Sequence, residues 1–377
     1  MTPPHSHASA KSDSKAEDKA TPRLRLTDLL TKKYDIRSIA LTGMFVLAVF
    51  YTIYFMRSIL LPLVLALMLS YLLRPVLRAF VRRRVPASLA SGFLLLTLLA
   101  IFGYAVSYLG APAAEWLQKA PYSLAEVQRK LSPLKQPMEK MAQANGEIER
   151  LAAPAQGPAK QTVEVKRHPL TDLLIVRTPE FVTATVLVLI LLFFLLAYDG
   201  VFLAKLIKLL PNLSDKKRAV AIASEIETQI SRYLFTVTLI NIGLGAAVGL
   251  AAGMLGLRNP VMWGAMVAVL NFVPYLGALT GIVFITLGAI LSFDSFSYAL
   301  LFPGVYLLLA SLEGNFVTPW IMGRSLSLNP VIILLSLTFW GWMWGVAGII
   351  LAVPILAAFK IFCAHVDPLE PIAEFLS

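Results

Sequence analysis

The feature that most constrains this sequence is a long, almost uncharged stretch in its carboxyl-terminal half. Between Tyr233 and Phe359 the charged residues are Arg258, Asp294, Glu313 and Arg324. A water-soluble domain of that length would carry many more, because about 25% of the residues in an ordinary soluble domain are charged. Over the whole chain of 377 residues, 58% are hydrophobic and 15% are charged. The sequence therefore predicts an all-α, polytopic helical membrane protein.

Charge placement and residue types exclude several other classes of protein. The net charge of +11 does not indicate a nucleic-acid partner, because the basic residues lie in a tail and in loops that flank apolar segments. The single cysteine, Cys363, excludes a disulfide scaffold. His5 and His7 have no third ligand nearby, so no metal and no other cofactor is expected. The sequence has no Walker A, HExxH or GxSxG motif, so the chain is predicted not to be an enzyme.

Runs of mostly apolar residues predict about eight membrane spans, since one crossing needs about 20 such residues. The predicted single crossings are residues 38–56, 59–73, 88–110, 181–198, 234–257 and 298–321. Residues 259–293 are too long for one crossing and are predicted to form a hairpin that breaks at Pro274 and Gly277. Residues 329–362 are also too long, and they predict either a second hairpin or one long tilted helix.

The regions between the spans have distinct compositions. In chain order we predict a disordered cytoplasmic tail (1–37), three spans (38–110), an extracytoplasmic helical or linker segment (111–179), a fourth span (180–198), a cytoplasmic amphipathic helix (199–232), a membrane core (233–363) and a short tail (364–377). Lys and Arg are concentrated in the first tail, after the second span and in 199–232, so the N-terminus is predicted to be cytoplasmic. Pro133 and Pro137 are expected to break any continuous helix in the 111–179 segment.

Glu313 is the strongest candidate for a functional side chain. It lies within the predicted span 298–321, in the run LLLASLEGNFVTPW. A carboxylate at membrane depth is costly and normally faces a cavity or a partner, where it can bind a proton or a cation. The alternative is that Glu313 marks a membrane boundary and is simply solvated.

Two similar segments predict broken helices near this residue. Residues 257–261 (LRNPV) begin the first long apolar stretch, and residues 327–331 (SLNPV) begin the second. Each stretch meets two glycines near its middle, and these are Gly277 and Gly281, then Gly345 and Gly348. Paired hydrophobic segments interrupted by Pro or Gly indicate the binding site of a transporter. Coincidence is the alternative, since Asn-Pro is a common helix start.

A ridge of small residues predicts close helix packing in the fifth span. Gly245, Gly249 and Gly253 are spaced four residues apart, with alanines around them. Small residues allow helix backbones to approach closely. The contact that they make is either within the chain or between copies of it.

Four motifs follow one another in the carboxyl-terminal half, and they are 271–277 (NFVPYLG), 313–319 (EGNFVTP), 328–330 (LNP) and 345–348 (GVAG) with Pro354. These motifs and their order resemble those of the autoinducer-2 exporter family of bacterial membrane proteins. The resemblance covers about residues 38–363. It implies an inner-membrane permease of seven or eight spans that forms homo-oligomers, as pentamers. It also implies either export of autoinducer-2 or exchange of sodium or lithium for protons.

We therefore predict a secondary transporter that exports a small solute across the bacterial inner membrane. Its site is expected to contain Glu313, Asn315 and Pro319 beside Asn271, Pro274 and Gly277, with Glu313 carrying a proton or cation and the two asparagines supplying polar contacts. An antiporter that exchanges sodium or lithium for protons is the alternative, in which Glu313 binds the transported ion. A membrane scaffold that does not transport is a further alternative. The expected partners are the lipid bilayer, a small solute, sodium or protons, and further copies of the chain.

Overall fold

The chain is helical throughout the part that the computed structural model describes, which is residues 36–146, 169–198, 200–209, 211–322 and 328–377. The all-α class is confirmed. Most of the predicted tail 1–37 lies outside the described residues, and so does Arg324. The chain divides into two compact units, Met1–Ile53 and Tyr54–Ser377. Helix α1 (Ile36–Phe55) provides the described part of the first unit.

Three helices form a cluster in the amino-terminal part of the second unit. They are α2 (Arg57–Arg82), α3 (Ala87–Gly146) and α4 (Pro169–Ala197). Their shared buried residues are Ala66, Leu77, Ala90, Leu94, Leu192 and Leu196. Helix α3 continues through Pro133 and Pro137, so the prediction that these prolines break it is wrong. A proline removes one backbone hydrogen bond and bends a helix, but the bonds on either side can carry it on.

Helix α6 is longer than the sequence pattern indicated. After the short helix α5 (Val201–Lys208), α6 runs without interruption over 42 residues (Leu213–Met254). The amphipathic helix predicted at 199–232 and the span predicted at 234–257 are therefore mostly one helix rather than two. No Gly or Pro occurs from residue 213 to residue 242, so nothing in the backbone ends the helix at the membrane surface.

Residues 259–293 form the predicted first hairpin. Helix α7 (Pro260–Leu270) and helix α8 (Leu276–Ser292) are joined by a turn at 271–275. The 11 residues of α7 are about 16 Å long, whereas a hydrocarbon core is about 30 Å thick. The break includes Pro274, as predicted, while Gly277 lies just inside α8. Hairpin 1, as we call α7 and α8, is therefore too short in its first arm to cross a membrane.

A segmented helix follows hairpin 1. It consists of α9 (Phe296–Ala299), α10 (Leu301–Leu312), a π-helical turn (Glu313–Val317) and α11 (Thr318–Met322). Tyr306 of α10 is buried, and its hydroxyl donates a hydrogen bond to the Ala278 carbonyl at 3.3 Å. This contact fixes α10 against the second arm of hairpin 1.

Residues 330–364 also fold back on themselves. Helix α12 (Pro330–Ala364) reverses at Gly345, whose φ of 65° and ψ of −144° are not helical. The Ser336 hydroxyl donates to the Ala352 carbonyl at 3.1 Å, although sixteen residues of straight helix would separate them by about 24 Å. The structure thus selects a hairpin over the alternative of one tilted helix. We call α12 hairpin 2; a 3₁₀ turn (Asp367–Leu369) and α13 (Glu370–Phe375) follow it.

The two hairpins begin at opposite ends of α6. Hairpin 1 follows the carboxyl end of α6. The base of hairpin 2 lies near the amino end of α6, where the Arg218 guanidinium donates to the His365 carbonyl at 2.6 Å and to Asp367 at 2.9 Å. The main buried cluster joins α6, hairpin 1 and α10, and it contains Leu244, Val248, Trp263, Val267, Ile285 and Phe302. Helix α6 is therefore the common scaffold of the carboxyl-terminal half.

Five helical segments of the described chain are long and apolar enough to cross a membrane. They are Arg57–Arg82, Ala87–Trp116, Leu213–Met254, Phe296–Met322 and Pro330–Ala364. Shorter apolar helices occupy Ala40–Phe55, Phe181–Ala197 and the two arms of hairpin 1. This is the architecture of a multi-pass membrane protein.

Candidate functional site

Glu313 lines a cavity between α6 and the segmented helix. The cavity has a volume of about 360 Å³, and its walls are Leu239, Ile240, Gly243, Leu244, Ala247, Leu309, Leu312, Val317 and Ile321 besides Glu313. All of these other residues are apolar, so Glu313 supplies the ionisable group. Glu313 is half-buried and lies nine residues before Met322, which is about 14 Å along a helix. Its carboxylate therefore faces a cavity inside the apolar segment.

The π-helical turn explains how Glu313 is presented. Pro319 lacks an amide hydrogen, and its ring crowds the carbonyl four residues earlier, so a regular α-helix is unfavourable here. The chain widens into a π-helical turn instead, a feature that is frequent at functional sites. The turn brings the Thr318 hydroxyl onto the Glu313 carboxylate, where it donates a hydrogen bond.

Asn315 and Pro319 do not line this cavity. The Asn315 side chain is exposed, and its amide donates to the Ser311 carbonyl of the preceding turn at 2.9 Å. Pro319 is also exposed, and it shapes the turn rather than contacting the cavity. Of the three residues predicted from the EGNFVTP motif, the structure thus places Glu313 alone in the wall of the cavity.

Asn271 does not line the Glu313 cavity. Its side-chain amide donates a hydrogen bond to the Asn241 side-chain oxygen at 2.9 Å. Asn241 is 2% exposed, and its own amide nitrogen has no hydrogen-bond partner in the described chain. A buried amide without a partner is costly and is a common feature of a binding site. Asn271 therefore joins the turn of hairpin 1 to a polar position in the carboxyl-terminal half of α6.

The turn of hairpin 1 is conformationally strained. Tyr275 has a φ of 63° and a ψ of −53°, and the Leu276 amide donates to the Pro274 carbonyl across it at 2.7 Å. This is a γ-turn of the rare kind, with a non-glycine residue in a region that favours glycine. Strain of this type clusters at functional sites. Gly277 permits the turn to close, because a Cβ there would lie 2.1 Å from the Leu270 carbonyl oxygen.

The predicted residues thus form two polar pairs rather than one cluster. One pair is Glu313 with Thr318, and the other is Asn271 with Asn241. Both pairs lie against the same part of α6, since Ile240 lines the Glu313 cavity and Asn241 is the next residue. Sequence reasoning missed Asn241 and Thr318. The available signal for Asn241 was an amide side chain in an otherwise apolar span.

The glycine ridge of α6 packs within the chain. A Cβ on Gly245 would lie 2.6 Å from the Gly264 carbonyl of α7, and a Cβ on Gly249 would lie 3.3 Å from the Pro260 carbonyl. Of the two alternatives for this ridge, the structure favours the contact inside one chain. The close approach of α6 and α7 holds hairpin 1 in place beside Asn241.

Comparison with known proteins places these features in a family. Residues 44–367 match the family described as AI-2E family transporter. The AI-2 transport protein TqsA of Escherichia coli strain K12 is 28% identical over 345 residues, which are 91% of this chain and 96% of that protein. A putative transport protein of Haemophilus influenzae is 23% identical and covers 81% of this chain and 86% of its own. The putative transport protein YrrI of Bacillus subtilis is 32% identical over 46% of this chain and 49% of its own. The chain, a multi-pass membrane protein with two helical hairpins around α6, belongs to the AI-2E transporter family.

Proposed function

We propose that this protein exports a small solute across the bacterial inner membrane and that Glu313 couples the transport to a proton or a cation. The observation that carries the proposal is the position of Glu313, half-buried in the wall of a cavity of about 360 Å³ whose other lining residues are all apolar. A carboxylate in such surroundings is costly unless it binds a proton, a cation or a polar ligand. The name of the relative TqsA supports autoinducer-2 as the first solute to test.

The two polar pairs have separate roles in this proposal. Glu313, held by the Thr318 hydroxyl, binds and releases the coupling ion. Asn241 and Asn271 bind the polar groups of the solute, because the Asn241 amide is buried and still has a free donor. The path of the solute runs along α6 between the turn of hairpin 1 and the π-helical turn.

Flux measurements in proteoliposomes test the proposal directly. Purified protein is reconstituted, and the flux of autoinducer-2, sodium and lithium is measured side by side with and without a pH gradient. Glu313→Gln keeps the shape of the side chain and removes its ability to release a proton. We expect this variant to insert normally, to lose ion-dependent flux and to lose the pH dependence of that flux.

Asp294→Asn is the matched control, since it also converts a carboxylate to an amide but lies between hairpin 1 and α9, away from the cavity. It is expected to transport like the unmodified protein. Full and still pH-dependent transport by Glu313→Gln would contradict the role of Glu313 and favour its assignment as a solvated boundary residue.

An antiporter for sodium or lithium and protons is the second candidate, and the same carboxylate favours it. In that case Glu313 binds the transported ion itself, so sodium flux proceeds without any organic solute. Sodium or lithium efflux driven by a pH gradient, in vesicles free of autoinducer-2, distinguishes this candidate from the exporter.

The orientation and assembly that we propose follow from the sequence. The basic loops support a cytoplasmic N-terminus and a cytoplasmic amino end of α6. The resemblance to the autoinducer-2 exporters supports a homo-oligomer of five chains. Native mass spectrometry in mild detergent tests the assembly, and a purified protein that runs as a monomer would contradict it.

A further inference from the structure

A second cavity, unrelated to the Glu313 site, lies between α2 and α6. Its volume is about 390 Å³. The lining includes three arginines, Arg78, Arg82 and Arg232, and one carboxylate, Glu227. Three positive charges and one negative charge leave a surplus of two positive charges. The hydroxyl groups of Thr228, Ser231 and Thr236 lie in the same wall.

The two helices are fixed against each other at this point. Glu227 of α6 forms ion pairs with both Arg74 and Arg78 of α2, and it accepts a hydrogen bond from Arg78 at 2.6 Å. The Ser231 hydroxyl donates to the Tyr71 carbonyl of α2 at 2.6 Å. Arg74, Arg78 and Arg82 recur every four residues, so they share one face of α2. The arginines that line the cavity are therefore presented by a preformed helix pair.

Two of these arginines are available to a ligand. Arg82 and Arg232 are exposed, and within the described part of the chain neither side chain makes an ion pair or a hydrogen bond with another residue. Arg78 is 58% exposed although it contacts Glu227, and such an exposed pair contributes little by itself. A guanidinium group matches the oxygens of a phosphate with two parallel donors.

The position of the cavity along the helices matches the membrane interface. Arg232 immediately precedes the almost uncharged stretch that begins at Tyr233, and Arg74 follows the apolar run 59–73. The cavity wall also contains apolar groups, among them Pro75, Ala79 and Phe235. A ligand with a phosphate at one end and hydrocarbon at the other fits both parts of this wall. Free phosphate would use the arginines alone.

We infer that this cavity binds the phosphate head group of an anionic phospholipid. The surplus of two positive charges suits a lipid with two phosphates, so cardiolipin is the probe of choice. The phosphate contacts Arg82 and Arg232, the hydroxyls of Thr228 and Thr236 supply further donors, and the acyl chains lie along Phe235.

Native mass spectrometry of the detergent-solubilised protein with added cardiolipin tests this inference. We expect the unmodified protein to retain cardiolipin and Arg82→Gln/Arg232→Gln to retain at least tenfold less. Arg83→Gln/Lys217→Gln removes the same two charges from exposed positions outside the cavity and is expected to retain cardiolipin fully. Arg82→Lys/Arg232→Lys keeps the charges and is expected to recover part of the retention, which separates charge from folding.

Three outcomes would overturn the inference. Equal loss in both glutamine double variants would show that overall charge, and not the cavity, holds the lipid. Equal retention of phosphatidylcholine would show that the cavity does not bind an anionic head group in preference to a zwitterionic one. Displacement of cardiolipin by millimolar inorganic phosphate would assign the arginines to a soluble phosphate instead.

Discussion

Replacing Gly277 by alanine is the sharpest test of hairpin 1. A Cβ at this position would lie 2.1 Å from the Leu270 carbonyl oxygen and 3.0 Å from the Asn271 Cα. Both of these atoms belong to the backbone, so they cannot rotate away as the end of a side chain can. The turn must therefore open by at least 1.3 Å to bring the 2.1 Å approach to an ordinary contact of 3.4 Å, and Asn271 belongs to the backbone that has to move.

The size of the effect follows from two opposing contributions. Overpacking of this kind costs about 1–3 kcal/mol. Alanine regains up to about 1 kcal/mol because it forms helices better than glycine. We expect Gly277→Ala to lower the free energy of unfolding by about 2 kcal/mol. This value is an overpacking cost of about 3 kcal/mol less the gain of about 1 kcal/mol in helix propensity.

Gly103→Ala provides the matched control. Gly103 lies within α3, and no atom lies within 4 Å of the position that its Cβ would occupy. The same substitution is therefore expected to leave the stability unchanged or to raise it by up to about 1 kcal/mol. Unfolding in mixed micelles of increasing SDS content, followed by tryptophan fluorescence, measures both variants. Equal stability of Gly277→Ala and Gly103→Ala would refute the close approach at the turn.

Three further predictions concern the topology and the turn. A reporter that is active only outside the cytoplasm should work when fused after Gln143 and be silent after Ser214; activity at Ser214 would reverse the proposed orientation. Tyr275→Gly should raise the free energy of unfolding by about 1 kcal/mol by relieving the strained backbone, and a loss of stability in the same SDS titration would argue against that strain. Asn241→Leu should cost about 1–3 kcal/mol because it leaves the Asn271 amide without its acceptor. Adding Asn271→Leu should recover part of that cost in a double-mutant cycle, whereas strictly additive losses would exclude the hydrogen bond.

The first hairpin was predictable, and the second was one of two alternatives, because local sequence rules govern where these helices begin and break. An Asn-Pro pair begins α7 and α12, since proline suits the first turn of a helix and Asn329 caps its helix through a hydrogen bond to the Val331 amide. Gly345 has a positive φ that few other residues tolerate, so glycine permits the reversal there, but the structure was needed to decide between a hairpin and one tilted helix. Each apolar stretch is also too long for a single membrane crossing, which favours a chain that folds back within it.

The composition of the site was less predictable, because it depends on contacts between distant residues. Asn241 and Asn271 are separated by 29 residues of intervening chain, and no spacing rule relates them. Asn315 lies two residues from Glu313, yet the π-helical turn directs it away from the cavity. The continuation of α3 through Pro133 was also missed, because a proline determines where a helix bends more reliably than where it ends.

The unbroken course of α6 has a mechanical consequence. Its 42 residues make a rod about 63 Å long, roughly twice the thickness of a hydrocarbon core. Arg218 near the amino end contacts the segment that follows hairpin 2, and Asn241 in the carboxyl-terminal half contacts the turn of hairpin 1. Since no Gly or Pro provides a joint between these two residues, a tilt or rotation imposed at Arg218 turns the helix at Asn241 through the same angle. A movement of one hairpin is therefore transmitted to the other through α6.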